Sequence, residues 1–243
     1  MARECEIKMQ LTSGDEAQAL QERALGLGFR ENDRRTELDF VPDTPGFGCR
    51  QAGLLLRFRE IRRPRTNPEI LLTLKVKNTA TQGFQDNEEL ELYLGKGDQS
   101  FQPPFDAIRI MLRDRVGIEL PEKIMAVRDF QVVYQIAVQE LRMIERRALV
   151  EKHRRTLVRG SSVISLDVFP EEVGLFIELE TQTPEALHGL IDELGLAAAR
   201  LEERAYAQLV EAKKADQAEI ERRTCLFPET RERLGPTVKP PRS

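Results

Sequence analysis

Six stretches of this chain alternate charged and apolar side chains with a period of two. They are Glu4-Cys5-Glu6-Ile7-Lys8, Leu54-Leu55-Leu56-Arg57-Phe58-Arg59, Leu72-Thr73-Leu74-Lys75-Val76-Lys77, Glu89-Leu90-Glu91-Leu92, Ile164-Ser165-Leu166-Asp167-Val168 and Phe176-Ile177-Glu178-Leu179-Glu180. In extended backbone, successive side chains point to opposite faces. Glu4, Glu6, Lys8 and Gln10 therefore share one face, and Cys5, Ile7, Met9 and Leu11 the other. A single strand of this kind is what any half-buried strand with a solvated outer face looks like. Six of them predict one sheet with a densely charged face of both signs.

The 243 residues suffice for one sizeable domain, or one domain and a tail, and 40% apolar with 32% charged residues is the composition of a soluble globular chain. A net charge of −4 argues against a general nucleic-acid binder, although a local basic cluster can still hold phosphate. No apolar run approaches about 18 residues, and Met1-Ala2-Arg3-Glu4 leads directly into a strand, so neither a membrane span nor a signal peptide is expected and the protein is read as cytoplasmic. Cys5, Cys49 and Cys225 match no zinc spacing and no disulfide framework, and strand parity places Cys5 among apolar neighbours. Two histidines, His153 and His188, are too few for a His-based metal site.

Between the strands, Ser13-Gly14-Asp15-Glu16 has capping-box spacing ahead of an apolar stripe of Ala17, Leu20, Ala24 and Leu27. Thr36 to Phe40 reads as a short strand, followed by a turn at Pro42-Asp43-Thr44-Pro45-Gly46. Arg62, Arg63 and Arg65 are expected to face solvent at a hairpin end. Pro103-Pro104 opens a helix with Phe105, Ile108, Met111, Leu112 and Val116 on one side and Gly117 after it. Pro121 to Arg147 carries the weakest pattern: Phe130 to Ala137 fits a strand, and Val138 to Arg147 either its continuation or a helix. Thr183-Pro184-Glu185 caps a helix with Leu187, Leu190, Ile191 and Leu194, ended by Gly195. A second helix is expected from Ala197, its apolar side fading beyond Val210, and the chain from Pro228 is expected to be disordered. The domain is thus read as residues 1–210, with the end of a helix and a tail in 211–243.

Matching strand faces offer Lys8, Arg57, Arg59, Lys75, Lys77, Lys152 and Arg154 as bases, and Glu4, Glu6, Glu89, Glu91, Asp167, Glu178 and Glu180 as acids. On an open sheet these would be a solvated patchwork of ion pairs contributing about 0–1 kcal/mol each. If about eight strands close into an antiparallel barrel, a tunnel, the charged face points inward and helices cover the apolar outside, giving an α+β fold. A charged lumen must hold water, metal and ligand, because uncompensated buried charge costs several kcal/mol per ion. Arg and Lys on several strands suit a chain of phosphates, with Arg57 and Arg59 spaced to reach successive ones. Clustered carboxylates without His or Cys select a hard cation, Mg²⁺ or Mn²⁺. There is no Gly-rich P-loop.

At these residues the chain resembles the CYTH superfamily, the triphosphate tunnel metalloenzymes, which include class IV adenylate cyclases, thiamine triphosphatases and inorganic triphosphatases. Glu4-x-Glu6-x-Lys8 is similar to the family's ExExK signature. Leu38-Asp39-Phe40 through Asp43-Thr44, Leu56-Arg57-Phe58-Arg59, Leu72-Thr73-Leu74-Lys75, Lys152-His153-Arg154, Ser165 to Phe169 and Gly174 to Glu180 resemble later segments in the family's order, and Arg204 to Leu209 is similar to its terminal SYxxL helix. The resemblance implies a closed eight-stranded tunnel, basic residues gripping a triphosphate, and one or two divalent metals on Glu4, Glu6, Asp167, Glu178 and Glu180. It points to Glu89 or Glu91 for positioning a nucleophilic water, and to Lys75 as a further catalytic residue. Two features depart from the pattern: Asn87 stands where the family commonly has Arg, and Arg146-Arg147 rivals Lys152-Arg154 for the basic strand, with the spacing to Asp167 favouring the latter.

Two classes of function follow. One is an enzyme cutting a triphosphate, either a phosphohydrolase acting on inorganic triphosphate or a triphosphorylated small molecule, or a cyclase making cyclic AMP from ATP. The other is a polyphosphate or nucleotide binder without catalysis. A full set of carboxylates favours catalysis, since a pure anion binder gains nothing from acidic groups beside its ligand. The absence of an adenine-recognition pattern favours the hydrolase. The expected partner is a triphosphate-containing small molecule, with no nucleic acid and no membrane, and a homodimer is left open.

Overall fold

A computed structural model describes residues 3–77, 85–96, 103–143, 148–170, 173–196, 201, 202, 204, 206–213 and 224–234. The strands are β1 (Arg3–Leu11), β2 (Arg30–Val41), β3 (Leu54–Arg62), β4 (Glu69–Lys77), β5 (Gln85–Leu94), β6 (Ala148–Arg159), β7 (Ser162–Val168), β8 (Leu175–Thr181) and the two-residue β9 (Thr224–Cys225). The helices are α1 (Gly14–Gly26), α2 (Gly48–Gln51), α3 (Pro103–Val116), α4 (Phe130–Gln135), α5 (Pro184–Leu194), α6 (Tyr206–Lys213) and α7 (Pro228–Leu234). Among them none is long and apolar enough to cross a membrane.

The expected antiparallel sheet with helices is present. Its order is β2-β3-β4-β5-β1-β8-β7-β6-β9, and β2 also pairs with β6 from Arg30↔Val158 to Val41↔Ala148. Among the described strand pairings only β6–β9 is parallel. The period-two pattern does what it predicts: Cys5, Ile7, Met9 and Leu11 are buried on β1, as are Leu54, Leu56 and Phe58 on β3 and Leu72, Leu74 and Val76 on β4. Two helical layers cover this apolar face. Phe105, Ile108 and Leu112 of α3 and Phe130, Val133 and Tyr134 of α4 pack on β2 to β5. Leu20 and Ala24 of α1 and Leu187, Leu190, Ile191 and Leu194 of α5 pack on β1, β7 and β8. Each Leu, Ile, Val or Phe among them contributes about 1.5–3 kcal/mol on burial.

The caps follow the local sequence. Ser13 Oγ accepts from the Glu16 backbone N–H, while Glu16 returns its carboxylate to the Thr12 N–H and hydroxyl. Thr183 caps α5 in the same way, and Gly195, at φ 63°, ends it in the left-handed region that glycine occupies without strain. All three cysteines are buried thiols outside any disulfide.

Four local expectations are corrected. Phe130 to Ala137 is not a strand: Asp129 caps α4 by accepting from the Gln131 N–H, and a π turn over Ile136–Glu140 extends it. Phe130, Val133, Tyr134 and Ala137 have helical spacing and are all buried. Leu201 bridges Met9 beside β1, so the later helix starts at Tyr206 rather than running from Ala197, and 197–200 lie outside the described residues. Arg62 and Arg63 do not simply face solvent. Arg62 pairs with Glu60 and Glu151, and Arg63 with Asp33 at 3.1 Å and Glu69 at 2.6 Å; Arg65 is exposed.

The fourth correction concerns the chain from Pro228, which is ordered as α7 and docked. Buried Glu151 accepts from the Phe227 N–H and the Thr230 hydroxyl, both at 2.7 Å, and Glu60 accepts from Arg233 at 2.5 Å. Leu226 and Leu234 complete the core of the first helical layer, and His153 stacks on Phe227 with ring centroids 4.0 Å apart. A polar segment is held here by buried acceptors that its own composition does not reveal. Pro236, Pro240 and Pro241 lie outside the described residues.

Candidate triphosphate-binding site

The strand pairings set the predicted charges side by side. Asp39 faces Arg59 across β2–β3, Lys75 faces Glu89 across β4–β5, Lys8 faces Glu178 across β1–β8, and Glu6 faces Glu180. On β6 and β7, Arg154 lies opposite Asp167.

These residues fall into two groups by how completely they are paired. In the first, Arg59 makes a two-pronged contact with Asp39 at 2.6 and 2.8 Å and reaches Glu37 at 3.0 Å. Arg154 grips Asp167 at 2.7 and 2.6 Å and reaches Glu178 at 3.0 Å. Lys152 pairs with Asp167 at 2.9 Å and Glu37 at 3.5 Å. The exposures of Glu37, Asp167 and Lys152 are 0%, 1% and 2%, so this is a desolvated ionic network rather than a surface patchwork.

In the second group pairing is looser. Lys75 contacts Glu89 closely and Glu6 at 3.8 Å. Arg57 donates to Thr73 Oγ1 at 3.3 Å and lies 3.9 Å from Glu91, whose side chain is 46% exposed. The Nε of Arg57 is buried without a hydrogen-bond partner. Glu91 accepts from the Thr73 hydroxyl at 3.2 Å. The side chains of Glu4 and Lys77 lie outside the described residues. Among the described residues, no three Asp, Glu, His or Cys side chains converge into a ready-made metal site.

The electrostatics mark the same division. Burial pushes Glu37, Asp39 and Glu178 towards protonation, but the guanidinium of Arg59 beside the first two and that of Arg154 beside Glu178 outweigh it, leaving all three below the ordinary carboxylate range. Glu6 is the opposite case. Burial raises it, Lys75 compensates only in part, and the like charges of Glu178 and Glu89 raise it further. Burial lowers Lys8.

Carboxyls depressed in the folded state contribute stability that is present above their unfolded value of about 4 and is lost as pH falls from there towards the folded values. Thermal midpoints should be nearly flat between about pH 7 and 5 and fall below about pH 4. The fall should be shallower for Glu37→Gln than for the unaltered chain, and an unchanged slope would remove Glu37 from the account.

Sequence reasoning gave no site role to Glu37, and met Tyr206 only within the segment similar to the family's SYxxL helix. Glu37 shares parity with Asp39 and Arg35 on β2, the same signal that identified the other strands. Tyr206 lies outside the strands: its hydroxyl donates to Asp167 Oδ2 at 2.8 Å and Glu178 Oε2 at 3.2 Å.

A CYTH domain model matches residues 2–206. The chain belongs to the CYTH family. Solved structures with this fold include the PH1819 protein of Pyrococcus horikoshii OT3, at TM-score 0.55 and 22% identity over 86% of this chain and 99% of that one. A Vibrio parahaemolyticus protein described as a candidate adenylate cyclase aligns at TM-score 0.53 and 21% identity, over 86% and 97%. The PH1012 protein of P. horikoshii OT3 aligns at 0.52 and 19%, over 85% and 98%. No curated protein matches the chain. The CYTH match ends at Tyr206, so most of α6, β9 and α7 lie beyond it.

Proposed function

We propose that this CYTH protein is a divalent-metal-dependent triphosphatase whose substrate lies in a charged tunnel enclosed by β1 to β8, within a domain of residues 1–210. Members of the family act as triphosphatases or cyclases. Enclosure is supported by the pairing of β2 with β6 at the far side of the strand order, and by side chains from non-neighbouring strands that meet, Glu6 with Lys75 and Arg154 with Glu178.

The observation that carries the reading is Arg57. A buried guanidinium N–H without a partner costs about 1–3 kcal/mol, and a phosphate oxygen is the acceptor that a guanidinium fork fits best. Lys75 on β4 and Lys8 on β1 carry further positive charge on the same face, suiting a chain of phosphates. Arg59, Lys152 and Arg154, saturated by carboxylates, hold the wall against which that chain lies.

The donor chemistry fits a hard cation. Glu6, Glu178 and Glu89 crowd like charge around one carboxyl, with no His or Cys among them, so Mg²⁺ or Mn²⁺ would relieve a repulsion already present. Glu6 and Glu178 would hold it, with Glu4 and Glu180 on the same strand faces. Such a metal neutralises charge on the phosphate oxygens. Asp167 is engaged by Arg154, Lys152 and Tyr206, and acts instead as their counter-ion. Glu89 is occupied by Lys75, which leaves the more open Glu91 to orient a water.

The test is phosphate release from inorganic triphosphate, thiamine triphosphate and ATP, with and without Mg²⁺ or Mn²⁺, with cyclic AMP assayed alongside. Metal-dependent phosphate release is expected. Cyclic AMP in its place would make the protein a cyclase, and binding without turnover a phosphate-chain binder.

A further inference from the structure

The segment after α5 returns to the charged face. Leu201 bridges Met9, the Glu202 N–H donates to the Lys8 carbonyl at 2.7 Å, and the Lys8 ammonium donates to the Arg204 carbonyl. These contacts along β1 deliver Tyr206 to the start of α6. Leu209 and Val210 then pack with Val150, Phe169, Phe176 and Cys225 in a small apolar cluster. Val150 shares strand parity with Lys152, and Phe176 with Glu178, so this cluster seals one end of the charged face.

Tyr206 meets four of the predicted site residues at once. Its hydroxyl donates to Asp167 and Glu178, and its ring lies under the ammonium groups of Lys8 at 4.4 Å and Lys152 at 4.5 Å. Phe169 and Phe176 hold the ring at centroid distances of 4.6 and 5.4 Å. One side chain thus uses its donor on two carboxylates and its negative π face on two cations.

We propose that Tyr206 is a positioning residue of the CYTH site, fixing Glu178 for metal, Lys8 for the phosphate chain and Lys152 in the ionic wall behind it, an assignment that rests on the triphosphatase reading. Its hydroxyl and Arg154 hold the same oxygen of Glu178, Oε2, which fixes the orientation of that carboxylate, and its ring carries both ammonium groups. The residue touches the groups that bind, not the reacting atoms.

Tyr206→Phe removes the hydroxyl and keeps the ring, whereas Tyr206→Leu removes both. With inorganic triphosphate as the probe, Tyr206→Phe is expected to lower kcat about tenfold, to leave KM nearly unchanged, and to need several-fold more Mg²⁺ for half activity, with thermal stability close to the unaltered chain. Tyr206→Leu should in addition weaken triphosphate binding in calorimetry. Wild-type kcat and Mg²⁺ demand in Tyr206→Phe would overturn the role, as would variants that lose only stability while turnover per folded molecule is kept. A readout without turnover separates this from the triphosphatase reading. The side-chain NMR signals of Lys8 and Lys152 should be displaced by the ring in the unaltered chain and in Tyr206→Phe, and return to ordinary values in Tyr206→Leu. If the protein neither binds nor cuts triphosphate, the functional reading fails, while displaced lysine signals still support the positioning; undisplaced signals overturn it.

Discussion

Arg59→Ala is expected to destabilise the fold by about 3–5 kcal/mol, whereas Arg57→Ala, two residues away on the same strand face, should leave stability nearly intact and cut kcat/KM by about 100-fold. The difference lies in what each leaves behind. Arg59 satisfies both oxygens of Asp39 and one of Glu37, and all three side chains are nearly or fully shielded from solvent, so its removal strands the Asp39 carboxylate and takes from Glu37 one of its partners, leaving it Arg35 at 2.6 Å and Lys152 at 3.5 Å. For a chain of this length such a loss lowers the thermal midpoint by about 10 °C or more. Arg57 makes looser contacts, with Glu91 at 3.9 Å, the neutral Thr73 hydroxyl and a longer-range attraction to Asp39, whose close partner is Arg59. Its removal exposes no buried charge but withdraws the guanidinium available to an anion. Thermal denaturation and steady-state kinetics on both variants check this. Equal losses of stability, with turnover per folded molecule unchanged in both, would reject the phosphate-binding role of Arg57.

The sequence supports the idea that Arg57 and Arg59 share a face but not that they differ in task. Strand parity is a local property with a period of two, so the charged and apolar faces of β1, β3, β4, β7 and β8 were legible from alternation alone. Pairing is a property of register between strands, and the register puts Asp39 opposite Arg59, and Thr73 opposite Arg57. Nothing in Leu56-Arg57-Phe58-Arg59 carries that information. Glu37 was legible by the same parity and was obscured by the run of mixed charges around it, Glu31 to Arg35. The α4 helix was obscured by Val132-Val133, whose β-branched side chains suggest a strand, although Phe130, Val133, Tyr134 and Ala137 already had helical spacing. The docking of α7 depends on Glu60 and Glu151, acceptors far away in sequence, and so lay beyond any local pattern.

Glu6→Gln is the substitution that separates metal binding from folding. Burial and the like charges of Glu178 and Glu89 raise Glu6, and Lys75, at 3.8 Å, and Lys8 offset this only in part, so its negative charge is a cost to the folded chain that a bound cation relieves. Removing that charge should leave the thermal midpoint unchanged or slightly higher in the absence of metal. Lys75 keeps Glu89 as its close partner, so no cation is left unpaired. Activity at limiting Mg²⁺ or Mn²⁺ should nevertheless fall about tenfold or more, because a hard cation loses a charged oxygen ligand. Glu178→Gln should behave differently. It takes a carboxylate from both the metal and Arg154, and so should lose stability as well as activity. Metal titrations of turnover beside thermal melts in chelator distinguish the two roles. A Glu6→Gln protein with an unaltered metal requirement would take Glu6 out of the metal site, and one that melts lower in chelator would make its carboxylate a structural ion-pair partner of Lys75.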